Sequence, residues 1–378
     1  MNEEPIFKPY GFKKEKLLPL MQQKNLKGIL LSSPENVYYT TCYTVLPSSG
    51  NPILYSLRNV FPFFVYISGE GEVTLICWGY STFGVEFGAD RILGYDNYEG
   101  ALKTLEAQLK GEIGGNDILG IESSCPYYTI SLIQENIKPQ ALVIVDEIMA
   151  NLRLIKTAQE IELIKKSTNI IENTLEELYG SVHIGMSRLD LMQEAKSRLF
   201  KNGATGISHL TFTFGQANPE IAIGERLLPN RLATLDLGGI YKGYCSDNRR
   251  YVYSGEIPIS LIECHNKMVK IVDAVGAALI PEAKYSDVFQ HAIRLYEEHG
   301  VQTQMGLNHV GHNIGLQTEE QWITNDPSIS VKEGMAINIE LYTIAPTGEF
   351  VGDEETYIIG PTGSTRISVL PREIRIIA

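Results

Sequence analysis

The sequence predicts an α+β protein, with a smaller α/β domain at residues 1–152 and a larger α+β domain at residues 153–378. The length of 378 residues is more than one domain usually needs. Short apolar strands alternate with helical segments in the first part, which is typical of a layered α/β domain. In the second part, two helices followed by strands occur twice, which indicates two similar halves. Any α+β domain can also produce this order, and the sequence leaves that alternative open.

The first domain is predicted from alternating strand and helix signals. Apolar segments predict strands at residues 27–34, 61–69, 73–79 and 141–148. One helix ends at residues 21–25, and another covers residues 100–111. This part contains neither a phosphate-binding glycine loop nor a group of residues that suggests catalysis. We therefore expect the functional site to lie in the second domain.

The second domain has clear helix signals. Thr157 followed by Glu160 predicts a capping box, and Gly180 predicts the end of that helix. A second helix is expected at residues 187–203. The strands, helix, helix and strands that follow are predicted at residues 210–253, 259–279, 286–300 and 335–359.

Composition and charge exclude several classes of function. Lys and Arg number 32 against 45 Asp and Glu, so the net charge is −13, and without a basic cluster nucleic acid is not an expected partner. We find no signal peptide, and the apolar runs are too short to cross a bilayer. The five cysteines are widely spaced and form no CxxC pair, which favours a reducing cytoplasm.

Two pairs of carboxylates are predicted to face each other across hairpins. A turn near residues 241–242 would place Asp236 opposite Asp247, and a turn at residues 346–348 would place Glu340 opposite Glu354. Like charges directly opposite destabilise a sheet unless a cation lies between them. Four ordinary exposed acids are the alternative for any one of these residues.

His312 supplies one imidazole to the same set. Glycines on both sides of it allow the backbone to approach closely, as expected of a segment that delivers a ligand. Four carboxylates and one imidazole would balance two divalent cations about 3.5–4 Å apart, which can activate water and polarise a carbonyl. This donor set favours Mn²⁺, Fe²⁺, Co²⁺ or Zn²⁺, and its oxygen content favours Mn²⁺ most.

These motifs carry a family resemblance. The segments LDLGGIYKGYCSDNRR, GHNIGL, GMAINIE and GDEETYII stand in the order and spacing of the pita-bread metallopeptidases, in particular the creatinase, prolidase and aminopeptidase P branch. The N-terminal part also resembles that branch, so the likeness spans nearly the whole chain. It implies a pita-bread catalytic domain, a creatinase-like N-terminal domain and a homodimer.

The resemblance also implies roles for the five residues. Asp236 would chelate one metal ion and His312 the other, while Asp247 and Glu354 would bridge them. Glu340 would bind the second ion and act as the general base for the attacking water. Asp236, Asp247, His312, Glu340 and Glu354 are therefore the expected ligands of two divalent ions.

The chain departs from the family around this ligand set. Glu319 stands where a histidine is usual, seven residues after His312, and Arg249 stands where threonine is usual. A further histidine, upstream of the first ligand aspartate, is also missing. Such imidazoles normally donate hydrogen bonds to the carbonyl or oxyanion, each worth roughly 3–4 kcal/mol. The resemblance therefore holds for the metal ligands but not for the residues that contact substrate.

Four further residues are candidates for contact with substrate. His309 is the first, as a catalytic contact, although a structural role beside His312 is an equal alternative. Glu319 could receive a cationic group of the substrate, and His209 is a weaker candidate. For Arg250 the alternative is an ion pair with a site carboxylate.

The sequence leaves three functions open. The first is a metal-dependent peptidase that cleaves Xaa-Pro bonds of small peptides. The second is a hydrolase of a small non-peptide amide or C–N bond, similar to creatinase or ectoine hydrolase, which the altered histidines favour. The third is a non-catalytic binding protein on the same fold, which retention of all five ligands disfavours.

Overall fold

The structure is a computed structural model that describes residues 6–49, 51–215, 224–303 and 307–377. The chain divides into two compact units, Met1–Arg153 and Leu154–Ala378. Within the described residues, no helix combines the length and the apolar composition that crossing a membrane requires.

The first unit is built around a mixed sheet flanked by helices. Its strands are β1 (Ile6–Phe7), β2 (Leu26–Leu31), β3 (Phe64–Ser68), β4 (Val73–Trp78), β5 (Glu86–Phe87), β6 (Arg91–Tyr95), β7 (Ile118–Ile121) and β8 (Ala141–Ile144). Its helices are α1 (Lys14–Gln23), α2 (Pro34–Thr41), α3 (Ile53–Ser56), α4 (Tyr98–Glu112), α5 (Tyr127–Leu132) and α6 (Asp146–Leu154), the last of which reaches the boundary of the unit.

The main sheet of this unit has the order β6-β4-β3-β2-β7-β8. The four strands and two helices predicted from the sequence are present, but the strand predicted at residues 141–148 ends at Ile144. Asp146 and Glu147 instead form the first turn of α6. Acidic side chains there interact favourably with the positive end of the helix dipole, which explains why the helix begins where the apolar pattern predicted a strand.

In its described residues, the second unit contains four long helices and two sheets. The helices are α7 (Ala158–Tyr179), α8 (Arg188–Lys201), α9 (Ile259–Ala277) and α10 (Tyr285–Glu298). The strands are β9 (Gly206–Phe214), β10 (Arg231–Tyr241), β11 (Tyr244–Cys245), β12 (Asn248–Ser254), β13 (Gly311–Asn313), β14 (Gln321–Trp322), β15 (Ala336–Ile344), β16 (Phe350–Ile359), β17 (Ser364–Arg366) and β18 (Arg375–Ile377).

The two halves of this unit repeat the same plan, as the sequence predicts. One sheet has the order β11-β10-β12-β18 with β9 also paired to β10, and the other has the order β14-β13-β15-β16-β17. Helices α7 and α8 pack on the first sheet and α9 on the second, each over its own apolar core. The predicted capping box is present, since Thr157 and Glu160 bond each other's backbone at the start of α7.

The two hairpins that carry the acidic residues differ in how well their register was predicted. Glu340 on β15 pairs with Glu354 on β16, as predicted. Asp236 on β10, however, pairs with Arg249 rather than with Asp247. The turn residues are Lys242 and Gly243, with φ of 48° and 85°.

The register of the first hairpin follows from this turn. Positive φ at both central positions is the requirement of a type I′ turn, whose twist matches that of the strands. The turn is therefore one residue later than predicted, which shifts the pairing partner by two. Asp247 becomes the diagonal neighbour of Asp236 on the same face of the sheet, still within reach of it.

Candidate metal centre and active site

The predicted ligands converge in the second unit. Asp236, Asp247, Glu340 and Glu354 line one cavity of about 520 Å³, and they come from both sheets. His312 lies on β13, opposite Asn338 of the neighbouring strand, and its side chain is 1% exposed. Two strand pairs from the two halves thus bring together residues as far apart in the chain as Asp236 and Glu354.

Three of these residues bring buried ligand atoms close together. Among the described residues, Asp247 Oδ1, His312 Nε2 and Glu354 Oε2 are buried without a well-aligned hydrogen bond. His312 Nε2 lies 3.7 Å from Asp247 Oδ2. The three side chains offer ligand atoms that all lie within 4.8 Å of one another. Buried polar atoms normally have partners, so this group fits a divalent cation.

Burial and charge also mark Glu354 as a ligand. Its other oxygen, Oε1, accepts a hydrogen bond of 2.6 Å from Asn338 Nδ2, which orients the carboxylate. Burial raises the pKa of Glu354 well above 4.5, and the charges of Asp247, Asp236 and Glu340 raise it further. A cation at this position would relieve that repulsion.

Arg249 lies among the remaining carboxylates. Its Nη2 lies 2.6 Å from Asp236 Oδ2 and 2.5 Å from Glu340 Oε1. The same nitrogen is 3.8 Å from Glu354 Oε2. Burial disfavours the charged form of Asp236, but the Arg249 guanidinium and His209 outweigh it and lower the pKa of Asp236 to about 2.

His209 contacts the same aspartates from the other side. Its Nε2 lies 3.0 Å from Asp236 Oδ1 and 3.1 Å from Asp247 Oδ1, while Ser208 Oγ lies 3.1 Å from its Nδ1. Burial alone would lower the pKa of His209, but the charge of Asp247 and the hydrogen bond with Asp236 raise it well above 6.5. His209 lines the cavity, so it lies where a substrate contact was expected.

Glu319 also lines the cavity. Burial raises its pKa above 4.5, and the charges of Glu340 and Asp247 add to that rise while His312 opposes it. The neighbouring Glu320 is instead buried in an ion pair with Lys156, 2.7 Å from its Nζ. Of the two adjacent glutamates, Glu319 is therefore the one that can meet a ligand.

His309 and Arg250 occupy different surroundings. The His309 ring centroid lies 4.0 Å from that of Trp322, whose ring also contacts His312. Burial lowers the pKa of His309, and its Nδ1 has no hydrogen-bond partner within the described residues. This arrangement suits the structural alternative as well as a catalytic one.

The structure does not bring Arg250 to the cavity. Its side chain is 1% exposed, and its Nη2 donates to Glu355 Oε1 at 2.8 Å and to the Leu370 carbonyl at 2.9 Å. Adjacent residues on a strand point to opposite faces, so Arg249 faces the cavity and Arg250 faces away. The ion pair foreseen for Arg250 therefore forms, but with Glu355 rather than with one of the predicted ligands.

Sequence reasoning missed the position of Arg249. It was recognised only as a departure from the family pattern, and the one local signal for the two-residue turn that places Arg249 opposite Asp236 is the glycine at position 243. Trp322, which packs on both histidines, had no sequence signal because it acts only through the pairing of β13 with β14.

Two family models match the chain. The model of metallopeptidase family M24 matches residues 162–367, and that of the creatinase/prolidase N-terminal domain matches residues 13–155. The chain belongs to metallopeptidase family M24. This membership confirms the expected branch and the prediction of a metal-dependent hydrolase.

Similar proteins cover almost the whole M24 chain. A Xaa-Pro dipeptidase of Pyrococcus horikoshii is 24% identical over 96% of this chain and 98% of its own length. An uncharacterized peptidase of Bacillus subtilis is 26% identical over 97% of this chain and 100% of its own length.

Solved structures show the same fold. The prolidase of Thermococcus sibiricus has a TM-score of 0.84 at 20% identity, covering 97% of this chain and 99% of its own. The prolidase of Pyrococcus horikoshii has a TM-score of 0.80 at 22% identity, covering 95% of this chain and 99% of its own. The pita-bread fold predicted for the second domain is thereby confirmed, as is the creatinase-like first domain.

Proposed function

We propose that this M24 protein is a metal-dependent peptidase that hydrolyses Xaa-Pro bonds of small peptides. The observation that carries the proposal is the cluster of buried ligand atoms that Asp247, His312 and Glu354 offer within 4.8 Å of one another. They lie beside a cavity large enough for a dipeptide, about 520 Å³. Relatives named Xaa-Pro dipeptidase and structures named prolidase support the same substrate class.

The residues of the cavity fit the steps of peptide hydrolysis. A divalent ion held by Asp247, His312 and Glu354 would polarise the scissile carbonyl and lower the pKa of water. Glu340, partly buried on the cavity wall, is placed to accept the proton of that water and to return it to the leaving nitrogen. Glu319 offers a carboxylate to the amino group of the substrate.

The other predicted residues have secondary roles in this proposal. His209 lines the cavity, but its Nε2 already contacts Asp236 and Asp247, so a contact with substrate would compete with these two carboxylates. His309 keeps its candidate catalytic role through its Nδ1, which has no hydrogen-bond partner in the described part of the chain. We leave Arg250 out of the substrate contacts because its guanidinium bonds Glu355.

Mn²⁺ is the ion that the donor set favours, with Fe²⁺, Co²⁺ and Zn²⁺ as alternatives, because two carboxylates accompany a single imidazole. The resemblance implies a second ion on Asp236. That position carries the guanidinium of Arg249, whose Nη2 donates to Asp236 Oδ2. The homodimer and the cytoplasmic location remain predictions, and light scattering after gel filtration would measure the former.

A non-peptide amide substrate is the second candidate. It is favoured by Arg249 and Glu319, which place two charged groups where the family commonly has threonine and histidine. A small charged amide would use both groups, whereas the amino group of an Xaa-Pro peptide would use only Glu319.

The test is release of amino acids from Xaa-Pro dipeptides and longer Xaa-Pro peptides by Mn²⁺-loaded protein and by protein stripped with chelator. We expect metal-dependent cleavage, lost in His312→Ala. The matched control is His183→Ala, a histidine whose side chain is exposed outside the cavity. Absence of cleavage by protein shown to hold metal would exclude the peptidase and favour the amide substrate.

A further inference from the structure

The guanidinium of Arg249 occupies a position that a metal ion would need. Asp236, Glu340 and Glu354 offer oxygens within 4.8 Å of one another, which makes them a possible cation site. Arg249 Nη2 lies 2.6, 2.5 and 3.8 Å from oxygens of these three carboxylates, respectively. Since the side chain of Arg249 is only 11% exposed, water screens these contacts little.

Both oxygens of Asp236 are already bonded. Oδ2 accepts from Nε and Nη2 of Arg249 at 3.1 and 2.6 Å, and Oδ1 lies 3.0 Å from His209 Nε2. Arginine forms such two-point contacts with carboxylates through its planar fork of donors. An ion coordinated by Asp236 would compete for the same lone pairs.

The group of Asp247, His312 and Glu354 differs from this one because no guanidinium in the described part of the chain forms a close two-point contact with it. Among the described residues, Asp247 Oδ1, His312 Nε2 and Glu354 Oε2 are buried without a well-aligned hydrogen bond, although His209 Nε2 lies 3.1 Å from Asp247 Oδ1. The third group, His209 with Asp236 and Asp247, shares Asp236 with Arg249. The two halves of the centre are therefore not equivalent.

The balance of charge in the centre also disfavours a second metal ion. Asp236, Asp247, Glu340 and Glu354 carry four negative charges when ionised, which two divalent ions alone would balance. Arginine does not lose its proton in proteins. Two divalent ions together with Arg249 would leave this buried centre with an excess positive charge, and they would place a second cation against the guanidinium.

We propose that this protein binds a single divalent ion per chain, at Asp247, His312 and Glu354, and that the Arg249 guanidinium takes the place of the second ion. The inference rests on the metal dependence in the proposed function but not on the Xaa-Pro substrate. Arg249 is a positioning residue in this scheme, since it holds Asp236 and Glu340 together across the two sheets.

The experiment measures Mn²⁺ per chain by mass spectrometry and by calorimetric titration of chelator-stripped protein. We expect one ion in the wild type and two in Arg249→Thr, which restores the residue usual in the family. The electron paramagnetic resonance spectrum should be that of an isolated Mn²⁺ in the wild type and of an exchange-coupled pair in the variant. The matched control, Arg375→Thr, removes an arginine outside the cavity and should leave one ion.

Asp236→Asn provides the second test, independent of whether Arg249→Thr folds. Since Asp236 is a partner of Arg249 rather than a ligand, the variant should still hold one ion. Adding it to Arg249→Thr should return the count from two to one. Two ions or none in the wild type, or one ion in a folded Arg249→Thr, would overturn the proposal, as would loss of the ion in Asp236→Asn.

The proposal of one metal ion per chain and the proposal of an Xaa-Pro substrate can be refuted independently. One ion per chain without cleavage of any Xaa-Pro peptide would refute the proposed function and leave this inference standing. Two ions per chain with cleavage would do the reverse.

Discussion

Replacing Asn338 with alanine tests how the protein orients its metal ligand. Asn338 is fully buried on β15, and its Nδ2 donates to Glu354 Oε1 at 2.6 Å, while Glu354 Oε2 has no well-aligned hydrogen bond within the described residues. The substitution removes this donor and leaves Oε1 buried without it. Thr356 Oγ1, which donates to Asn338 Oδ1 at 3.3 Å, also loses its partner.

The expected magnitude follows from these contacts. A hydrogen bond to a charged group contributes about 1.5–3 kcal/mol. Loss of a partner that orients a metal ligand typically lowers metal affinity about 10–100-fold, or about 1.4–2.7 kcal/mol, and the two ranges agree. Because the pKa of Glu354 is already raised well above 4.5 by burial and by Asp247, losing a donor raises it further. Metal binding must release that proton, so the loss should be larger at low pH.

The assay is calorimetric titration of Mn²⁺ into chelator-stripped protein at two pH values. Thr343→Ala is the matched control, since Thr343 is buried on the same strand and donates to the Gln302 carbonyl at 2.7 Å, away from the ligands. We expect weaker binding in Asn338→Ala alone. Affinities that agree within about threefold, at equal stability of the two variants, would refute the role assigned to Asn338.

Three further outcomes are expected. Glu319→Gln should raise KM for Xaa-Pro dipeptides by about tenfold or more with metal content unchanged, because it removes a charged hydrogen bond to the substrate amine; equal KM values would contradict this. Asp236→Asn should destabilise chelator-treated protein at pH 7 more than at pH 3 in urea unfolding. The pKa of Asp236 is lowered to about 2 by Arg249 and His209 in spite of burial, so its contribution is present above its unfolded value and fades as pH falls toward 2. Arg250→Met should destabilise by up to about 3–5 kcal/mol because it removes the buried partner 2.8 Å from Glu355 and leaves only Arg372 and Arg366, 3.8 and 4.0 Å away, yet keep the metal count unchanged; a changed count would place Arg250 in the site.

Local signals predicted much of the fold. The capping residues Thr157 and Glu160 lie where a helix begins because their bonds join positions three residues apart. Glu340 and Glu354 face each other because the turn at residues 346–348 and the alternation along β15 determine their register. These features depend on neighbours in the chain, which a sequence displays.

The residue that lies opposite Asp236 changes when the turn is placed one residue earlier or later. Choosing a turn at residues 241–242 rather than at Lys242-Gly243 exchanged Arg249 for Asp247 as the residue opposite. Moving the turn by one residue moves the opposite residue by two, which keeps it on the same face of the sheet. Here that difference places an arginine, rather than an aspartate, opposite Asp236.

The sequence by itself determined the family and its fold, and it predicted which residues are candidate ligands, because motif spacing and periodicity are properties of the chain. Only the tertiary structure decided that Arg249 reaches carboxylates of both sheets while Arg250 reaches Glu355. Arg249 contacts Glu340, ninety-one positions away, only after two hairpins have packed together. Contacts of that kind depend on where strands from separate halves come to lie, which local pattern does not encode.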